Sequence, residues 1–372
     1  MKPRFDEEDF VFAERALTNA GWPVRPPHPN PKVGCVVVKD GLVIGEGFHS
    51  WAGGGHAEVV ALGECQVSPE NAVMYVTLEP CTTFGRTPPC IDRVIDAKVK
   101  RVVICSKDPN PDVCGDGIKR LRDAGIRVDC GLLEEKAIEI NKGYYNRHLR
   151  GRPWVRVKLG ITLDGRIAVK SGESKWITGE DSRHEVQMLR TQASAILTGS
   201  GTLKADDPYL NCRLELENCT PLRVVLDSNL VITPNARMFS VKGQVLIAAK
   251  KGVQASRRKE LENVAKVVEM PSVSSGIDCK ELLNHLAISE QVNDLLVEAG
   301  PTLVGSLLEE NLVDELIVFM APSLIGHESR PMAKLKGIER LADRIDGQFT
   351  DVEKVGEDIR ITVKIGDIPH ID

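Results

Sequence analysis

The chain has 372 residues, of which 42% are hydrophobic and 27% are charged, a balance that is ordinary for a globular protein. This length suggests two or three domains, each able to bury its own core. The formal net charge of -5 argues against a general binder of nucleic acid or of membrane surfaces, because such proteins usually carry a basic excess.

The chain shows no signal for a membrane or for secretion. No run of about 18 or more apolar residues occurs, so no membrane span is expected. A secretory signal begins with a basic region that is followed by an apolar core, whereas residues 1–9 are acidic, so a secretory signal is not expected either. Most of the ten cysteines should then be reduced thiols, and we expect a cytoplasmic protein.

The first half of the chain alternates predicted helices with predicted strands. Apolar periodicity predicts helices at residues 10–20, 56–64, 117–124 and 134–149, and a further helix that Pro88-Pro89 opens. β-rich runs predict strands at residues 35–38, 42–44, 74–78, 101–105 and 126–129. This alternation indicates an α/β layer structure with a partly parallel sheet. The break at residues 150–153 predicts two domains, residues 1–150 and residues 151–372.

One histidine and two cysteines of this half are candidate zinc ligands. His56 begins a predicted helix, Cys81 leaves a predicted strand, and Cys90 starts another predicted helix. Helix N-termini favour the thiolate that zinc requires. Three protein ligands leave the fourth tetrahedral position open, which is typical of a catalytic zinc site. Glu58 is then free to act as general acid and base, as in the zinc deaminases.

The alternative is that His56 is a core or capping histidine and that the cysteines are incidental. The prolines that flank both cysteines favour the zinc site. The common deaminase signature has two residues between its cysteines, whereas eight separate Cys81 from Cys90. This spacing excludes the usual nucleobase and nucleic-acid deaminase pattern and requires a family with a longer loop.

The second half repeats an α/β pattern. Predicted strands are residues 155–162, 195–197, 222–226, 245–249, 295–298 and 316–320, and predicted helices are 182–192 and 303–310. No Gly-x-Gly-x-x-Gly follows a first strand, so a standard dinucleotide fold is not indicated. Residues 199–202 and 300–302 form Gly-rich turns after strands. Each is either a phosphate-binding site at the start of a helix or simply a tight turn.

Several segments resemble the bifunctional deaminase/reductase family of bacterial riboflavin biosynthesis. In the first half they are HPNPKVG (28–34), HAE (56–58), LEPC (78–81), GRTPPC (85–90) and DPNP (108–111). In the second half they are residues 155–165, 171–178, 205–208 and 297–302. The long loop between the cysteines is normal in that family. The resemblance implies an α/β protein with an N-terminal three-layer cytidine-deaminase-like domain and a dihydrofolate-reductase-like α/β domain.

The resemblance also implies roles for individual residues. His56, Cys81 and Cys90 would bind Zn2+, and Glu58 would donate the proton. Asn30, His49 and the loop between the two cysteines would help to hold the pyrimidine and its ribose phosphate. The implied NADPH contacts are Gly160, Trp176, Thr202, Asp206, Ser228, Gly300, Pro301, Thr302, Leu303, Val304, Gly305 and Ser306. The implied contacts with the sugar-phosphate substrate are Lys158, Ser174, Arg190, Leu210, Arg213 and Glu298. Lys158 and Asp206 are the polar groups to test in hydride transfer.

The residues alone leave alternatives open at four of these positions. Asn30 lies in a Pro-rich loop and could be a turn residue, and His49 could be a surface histidine. Arg190 could belong to a solvated helix face, and Arg213 could be a loop charge. Two arginines nevertheless suit a phosphate group, because guanidinium makes bidentate charged hydrogen bonds.

The family implies two consecutive reactions on a small phosphoribosyl-pyrimidine. The first is zinc-dependent deamination of 2,5-diamino-6-(5-phosphoribosylamino)pyrimidin-4(3H)-one. The second is NADPH-dependent reduction of 5-amino-6-(5-phosphoribosylamino)uracil to the ribitylamino product, and the family also suggests a homo-oligomer. One rival is a nucleic-acid deaminase, which the negative charge and the 4% aromatic content disfavour. The other is a zinc-stabilised scaffold, which the intact Glu58 and the open zinc position disfavour.

Overall fold

The computed structural model describes residues 5–23, 25–214, 219–273 and 276–371. The chain divides into two compact units, Met1–Gly151 together with Ile368–Asp372, and Arg152–Asp367. Within the described ranges, no helix combines the length and the apolar character that a membrane crossing needs.

The first unit is built on a five-stranded sheet in the order β2-β1-β3-β4-β5. Its strands are β1 (Gly34–Lys39), β2 (Leu42–Phe48), β3 (Val73–Leu78), β4 (Arg101–Ser106) and β5 (Arg127–Cys130). Its helices are α1 (Glu7–Gly21), α2 (Ala57–Gly63), α3 (Cys90–Asp96), α4 (Asp116–Asp123), α5 (Glu134–Ile140) and α6 (Lys142–Arg150). Strand β1 is antiparallel to β2 and β3, whereas β3, β4 and β5 are mutually parallel.

Helices cover both faces of this sheet. Because side chains alternate along a strand, Val36 and Val38 of β1 pack with α1 and α5, whereas Cys35 and Val37 pack with α2, α3 and α4. Both faces of β1 are therefore buried, which is why it is an almost continuous apolar run. The result is the three-layer α/β arrangement that the family resemblance implies.

The single helix predicted over residues 134–149 is wrong. Helix α5 ends at Ile140, and α6 starts at Lys142. Asn141, between them, has φ -120° and ψ 18°, outside the helical region. The side chain of Asn141 bonds to the backbone of Lys32. A contact with a residue so distant in sequence is not visible in helical periodicity.

The second unit contains a nine-stranded sheet in the order β11-β10-β9-β8-β14-β6-β15-β18-β17. Its strands are β6 (Trp154–Thr162), β8 (Ala195–Gly199), β9 (Leu222–Leu226), β10 (Val245–Lys250), β11 (Lys266–Met270), β14 (Asp294–Val297), β15 (Glu315–Ala321), β17 (Gln348–Val355) and β18 (Asp358–Lys364). Two small sheets pair β7 (Arg166–Ala168) with β16 (Arg330–Pro331), and β12 (Ser272–Val273) with β13 (Gly276–Ile277). The helices are α7 (Glu180–Gln192), α8 (Ser200–Asp206), α9 (Ala255–Leu261), α10 (Cys279–Ile288) and α11 (Pro301–Glu309).

Seven neighbouring strands of the large sheet are mutually parallel, in the order β11, β10, β9, β8, β14, β6 and β15. Strands β18 and β17 add an antiparallel edge beside β15. Helices α10 and α11 contribute to the core on one face, and residues of α8 and α9 to the core on the other. Strand β6 lies between β14 and β15, so even Arg156 and Thr162 on it are buried. In such sheets, ligands bind beyond the carboxyl ends of the strands, and here β8 ends at Gly199 and β14 ends just before Glu298.

Candidate active sites

The three candidate zinc ligands meet at the ends of three elements in the first unit. His56 immediately precedes α2, Cys90 is the first residue of α3, and Cys81 follows the carboxyl end of β3. The Sγ atom of Cys81 lies 3.2 Å from Nδ1 of His56 and 3.2 Å from Sγ of Cys90. Among the described residues, this is the group of His, Cys, Asp or Glu whose ligand atoms are arranged to hold a metal, all within 4.8 Å.

The surroundings of the Cys81 sulfur favour negative charge, whereas the hydrogen bond with Cys81 and burial raise the pKa of the Cys90 thiol well above its usual value. The backbone N–H of Cys81 donates to the Cys90 sulfur at 3.1 Å, and the backbone N–H of Cys90 donates to the Cys81 sulfur at 3.3 Å. The hydrogen bond from the Cys90 thiol, with help from the His56 ring, outweighs burial and lowers the pKa of the Cys81 thiol to about 4. A thiolate is therefore available for a cation at this position.

The donor set fits zinc. One imidazole nitrogen and two sulfurs are ligands that zinc prefers, and bond lengths of about 2.0–2.3 Å place tetrahedral ligand atoms within roughly 4 Å of one another. The separations of 3.2 Å in this cluster are on that scale. Three protein donors leave one tetrahedral position for water or substrate, as in catalytic zinc sites.

Glu58 lies beside the cluster without belonging to it. Its side chain is in the first turn of α2, is only 3% exposed, and accepts a hydrogen bond from the Cys90 thiol at 3.3 Å. Burial raises the pKa of the Glu58 carboxyl above its usual value. A buried carboxyl with a raised pKa, within reach of an open ligand position, has the properties of a general acid and base.

Two further contacts orient the histidines of this site. The Oγ1 atom of Thr87 lies 3.0 Å from Nε2 of His56, which leaves Nδ1 directed at Cys81. Thr87 lies in the GRTPPC segment of the loop between the cysteines, and the resemblance implies no individual role for it. Nδ2 of Asn30 lies 2.9 Å from Nε2 of His49, and the His49 and His56 rings are 5.3 Å apart between centroids. His49 is 3% exposed and is therefore not a surface histidine.

A second candidate site is a cavity of about 1080 Å³ in the second unit. Predicted cofactor and substrate residues that are up to 148 positions apart in the sequence line this cavity together. The predicted residues that line it are Lys158, Gly160, Ser174, Trp176, Arg190, Thr202, Asp206, Leu210, Arg213, Ser228, Glu298, Gly300, Pro301, Thr302, Leu303 and Ser306. The two Gly-rich turns, after β8 and after β14, both open onto this cavity.

Two predicted cofactor residues do not line the cavity. Val304 is fully buried in the core between α11 and the sheet. Gly305 packs against the carbonyl oxygen of Lys334, which a Cβ at this position would meet at 2.0 Å. Successive residues of a helix point in different directions, so only part of the run from Gly300 to Ser306 can face a ligand.

A buried ion cluster occupies one wall of the cavity. Arg190 Nε donates to Glu298 Oε1 at 2.6 Å, Arg190 Nη2 donates to Glu298 Oε2 at 3.0 Å, and Lys158 Nζ lies 3.3 Å from Glu298 Oε2. Burial would raise the pKa of Glu298, but the charges of Arg190 and Lys158 outweigh it and lower the pKa to about 2. Arg190 is therefore not on a solvated helix face.

The cavity also contains residues that no sequence motif indicated. Arg183 of α7 places its guanidinium carbon 4.6 Å from the centre of the Trp176 ring and donates to the Thr178 carbonyl at 2.7 Å. Trp176 remains 66% exposed, which leaves its ring available to a ligand. Arg330 and Lys334 line the same cavity. Their segment has no recognisable pattern, so only the tertiary structure brings them to the site.

Together with the family matches, these features define a class: a two-unit α/β enzyme that joins a zinc deaminase domain to a reductase domain. Residues 6–106 match the family described as the cytidine and deoxycytidylate deaminase zinc-binding region, and residues 153–361 match the RibD C-terminal domain. The chain is 44% identical to the riboflavin biosynthesis protein RibD of Escherichia coli (strain K12), over 95% of this chain and 98% of that protein. It is 40% identical to the RibD of Aquifex aeolicus, over 91% and 93% of the two chains.

Comparison with solved structures indicates the same family. A RibD structure from Acinetobacter baumannii has a TM-score of 0.88 at 37% identity, covering 97% of this chain and 99% of that one. A diaminohydroxyphosphoribosylaminopyrimidine deaminase/5-amino-6-(5-phosphoribosylamino)uracil reductase from Thermotoga maritima has a TM-score of 0.83 at 31% identity, covering 96% and 99%. The chain belongs to the RibD family of riboflavin biosynthesis proteins. The predicted fold class, the predicted deaminase and reductase activities and their place in riboflavin biosynthesis are thereby confirmed.

Proposed function

We propose that residues 1–150 deaminate 2,5-diamino-6-(5-phosphoribosylamino)pyrimidin-4(3H)-one and that residues 151–372 then reduce the deaminated uracil to its ribitylamino product. The observation that carries this proposal is the cluster of His56, Cys81 and Cys90 beside the buried carboxyl of Glu58. The Thermotoga maritima relative carries both activities in its name. We assign the same pair of substrates to this chain.

In the deaminase half, His56, Cys81 and Cys90 would hold the zinc ion. Zinc in such a site lowers the pKa of a bound water to about 7, which makes a nucleophile available at neutral pH. Glu58 accepts the proton of the attacking water and delivers it to the departing amino nitrogen. The raised pKa of Glu58 suits both steps, because an acid and base works best when its pKa is near the operating pH.

Asn30 and His49 would bind the pyrimidine end of the substrate. Their side chains are in contact, and the ring Nδ1 of His49 lies 3.0 Å from the Gly55 carbonyl, one residue before His56. This chain of contacts connects the Pro-rich loop with the proposed zinc ligand. The orientation of the pyrimidine ring relative to Glu58 then depends on Asn30 and His49, whose side chains are themselves held by hydrogen bonds.

In the reductase half, the cavity of the second unit would bind NADPH. The N-terminus of α11, with Gly300 before Pro301, exposes backbone N–H groups suited to a phosphate. Trp176, Thr202, Asp206 and Ser228 would complete the contacts with the cofactor. NADPH supplies the hydride, and the protein supplies orientation and charge.

The ion cluster would bind the sugar phosphate. Arg190 and Arg213 are suited to the phosphate, and Ser174 and Leu210 line the same part of the proposed site. Hydride addition to the sugar carbon requires one proton for the ring oxygen that is released. Lys158, held beside Glu298, is our choice for the proton donor, with Asp206 as the second candidate.

We further propose that the protein acts in the cytoplasm as a homo-oligomer. No disulfide joins any of the ten cysteines, all of which lie in the described part of the chain, and this suits a reducing compartment. Strand β17 forms the edge of the large sheet, and Phe349 and Val352 on it are 70% and 61% exposed. An exposed edge with apolar side chains is a surface that a second copy of the chain could cover.

The substitution Glu58→Gln tests the proposed function. We expect it to abolish ammonia release from the diaminopyrimidine, because glutamine cannot carry the proton, and to leave NADPH oxidation intact when the deaminated substrate is supplied. Both are measured on one preparation whose zinc content matches that of the wild type. Ammonia release at the wild-type rate would refute the role of Glu58. Loss of NADPH oxidation on the deaminated substrate would refute the independence of the two sites.

A further inference from the structure

Asn141, at the break between α5 and α6, makes an unusual pair of contacts. Its Oδ1 accepts a hydrogen bond from the backbone N–H of Lys32 at 2.8 Å, and its Nδ2 donates to the Lys32 carbonyl at 2.8 Å. The Asn141 side chain is 5% exposed. One amide thus satisfies both backbone groups of a residue 109 positions away, much as a neighbouring β-strand would.

The segment that Asn141 holds carries residues of the deaminase site. Lys32 lies two positions after Asn30, whose amide contacts the His49 ring at 2.9 Å. One position after Lys32, the Val33 carbonyl accepts a hydrogen bond from the backbone N–H of His49 at 2.9 Å. Both groups that we assign to the pyrimidine are therefore tied to the segment that Asn141 fixes.

The interruption of the helix agrees with this role. A continuous helix over residues 134–150 would retain backbone hydrogen bonds that the break at Asn141 gives up. The two hydrogen bonds to Lys32 offset part of that loss. The backbone thus leaves the helical region at the residue whose side chain reaches the Pro-rich loop.

We propose that Asn141 is a positioning residue of the deaminase site, which fixes the loop at Lys32 so that Asn30 and His49 orient the pyrimidine ring. The inference rests on the proposed deaminase function. Asn141 acts through Lys32 and Asn30 and not on the substrate itself. Its loss should therefore affect the orientation of bound substrate more than the binding of zinc.

A double-mutant cycle on the zinc-loaded full-length chain tests this inference. Ammonia release is measured as kcat and KM for wild type, Asn141→Ala, Asn30→Ala and the double variant. We expect each single substitution to lower kcat/KM by roughly tenfold to a hundredfold, because small displacements of positioning groups are costly. The double variant should lose no more than Asn30→Ala alone, because both residues act along one path.

Controls separate positioning from a general loss of structure. Glu139→Gln changes an exposed residue of α5 that pairs with Lys142 at 3.0 Å, and it should retain wild-type kinetics. Zinc content and NADPH oxidation on the deaminated substrate should be unchanged in every variant. If Asn141→Ala loses zinc, the cycle is run with Asn141→Asp, which keeps the size and the acceptor but removes the donor.

Two results would overturn the inference: wild-type kcat/KM in Asn141→Ala, or losses in the double variant that multiply. Multiplied losses would mean that Asn141 and Asn30 act independently. Wild-type protein that releases no ammonia from the diaminopyrimidine would instead refute the proposed function. The two failures are therefore distinguishable in one set of assays.

Discussion

Glu298 shows how a buried charge can be kept ionised inside a binding cavity. It faces Arg190 through two hydrogen bonds and Lys158 through an ion pair. Its pKa, about 2, lies below its unperturbed value, so the folded protein binds a proton at this carboxyl less readily than the unfolded chain does. The resulting stability is fully present above about pH 4.5 and is lost as the pH falls toward 2.

The substitution Glu298→Gln should therefore destabilise the protein by about 3 kcal/mol at pH 7, because it leaves buried positive charge uncompensated. The difference in unfolding free energy between wild type and variant should shrink as the pH falls from 5 toward 2. Urea unfolding of both proteins at several pH values measures this difference in unfolding free energy. A difference that grows on acidification would contradict the ionised state of Glu298. Ammonia release from the first unit should not change.

At the scale of elements, α7 depends on a strand that is distant in sequence. Oδ2 of Asp358, the first residue of β18, accepts hydrogen bonds from the Gly179 backbone N–H at 2.7 Å and from the Ser182 hydroxyl at 2.6 Å. This carboxylate is 2% exposed and lies at the N-terminus of α7, where negative charge is favourable. Because α7 carries Arg190, the strand helps to set the proposed phosphate site.

We expect Asp358→Ala to lower the stability of the protein by about 1–2 kcal/mol through loss of this cap. It should also raise the KM of the reductase for the sugar-phosphate substrate, because the start of α7 loosens. Chemical unfolding and steady-state kinetics of NADPH oxidation measure the two effects. The neighbouring exposed substitution Glu357→Gln is the control and should leave both unchanged. Equal effects in the two variants would exclude capping as the cause.

Strand β17 is one of several elements that the sequence analysis does not predict, and its exposure explains why. Seven of its eight residues are exposed, so it has no alternating apolar pattern to detect. By contrast, the strand predicted over residues 222–226 agrees with β9 at both ends, because its apolar residues are buried on both faces. Apolar periodicity in a sequence reflects the burial of side chains. An exposed edge strand such as β17 is instead stabilised by backbone hydrogen bonds to its neighbour, β18.

At the scale of the whole molecule, each proposed site lies within one compact unit. The cluster of His56, Cys81 and Cys90 belongs to the first unit, and all residues that line the large cavity belong to the second. Metal binding to such a cluster contributes directly to folding stability. Loss of the metal should therefore affect the two activities unequally.

We expect removal of zinc by a chelator to abolish ammonia release and to lower the unfolding temperature of the first unit. NADPH oxidation on the deaminated substrate should be retained. Calorimetry and the two activity assays, before and after restoring zinc, measure this. Ammonia release that survives complete zinc removal would contradict the proposed deaminase mechanism. A parallel loss of reductase activity would show that the units depend on each other.

The sequence by itself indicated the chemistry that we propose for the first site. Histidine, two cysteines and a glutamate that is not needed as a ligand predict a zinc centre, and the eight-residue spacing excludes the common deaminase pattern. These features are local, since each residue lies at the start or end of a predicted element. The structure places the three ligand atoms within 4.8 Å of one another, and the RibD comparisons confirm the family that the motifs indicated.

Only the tertiary structure decided how the functional side chains are held. The pairing of Arg190 with Glu298 joins residues 108 positions apart, and the contact of Asn141 with Lys32 joins residues 109 apart. The burial of Glu58 and the inward position of Val304 likewise follow from packing between layers. Strand order and helix packing bring distant residues together, and neither is encoded in the periodicity of a single segment. The residue types were therefore readable from the sequence, whereas their partners and pKa shifts were not.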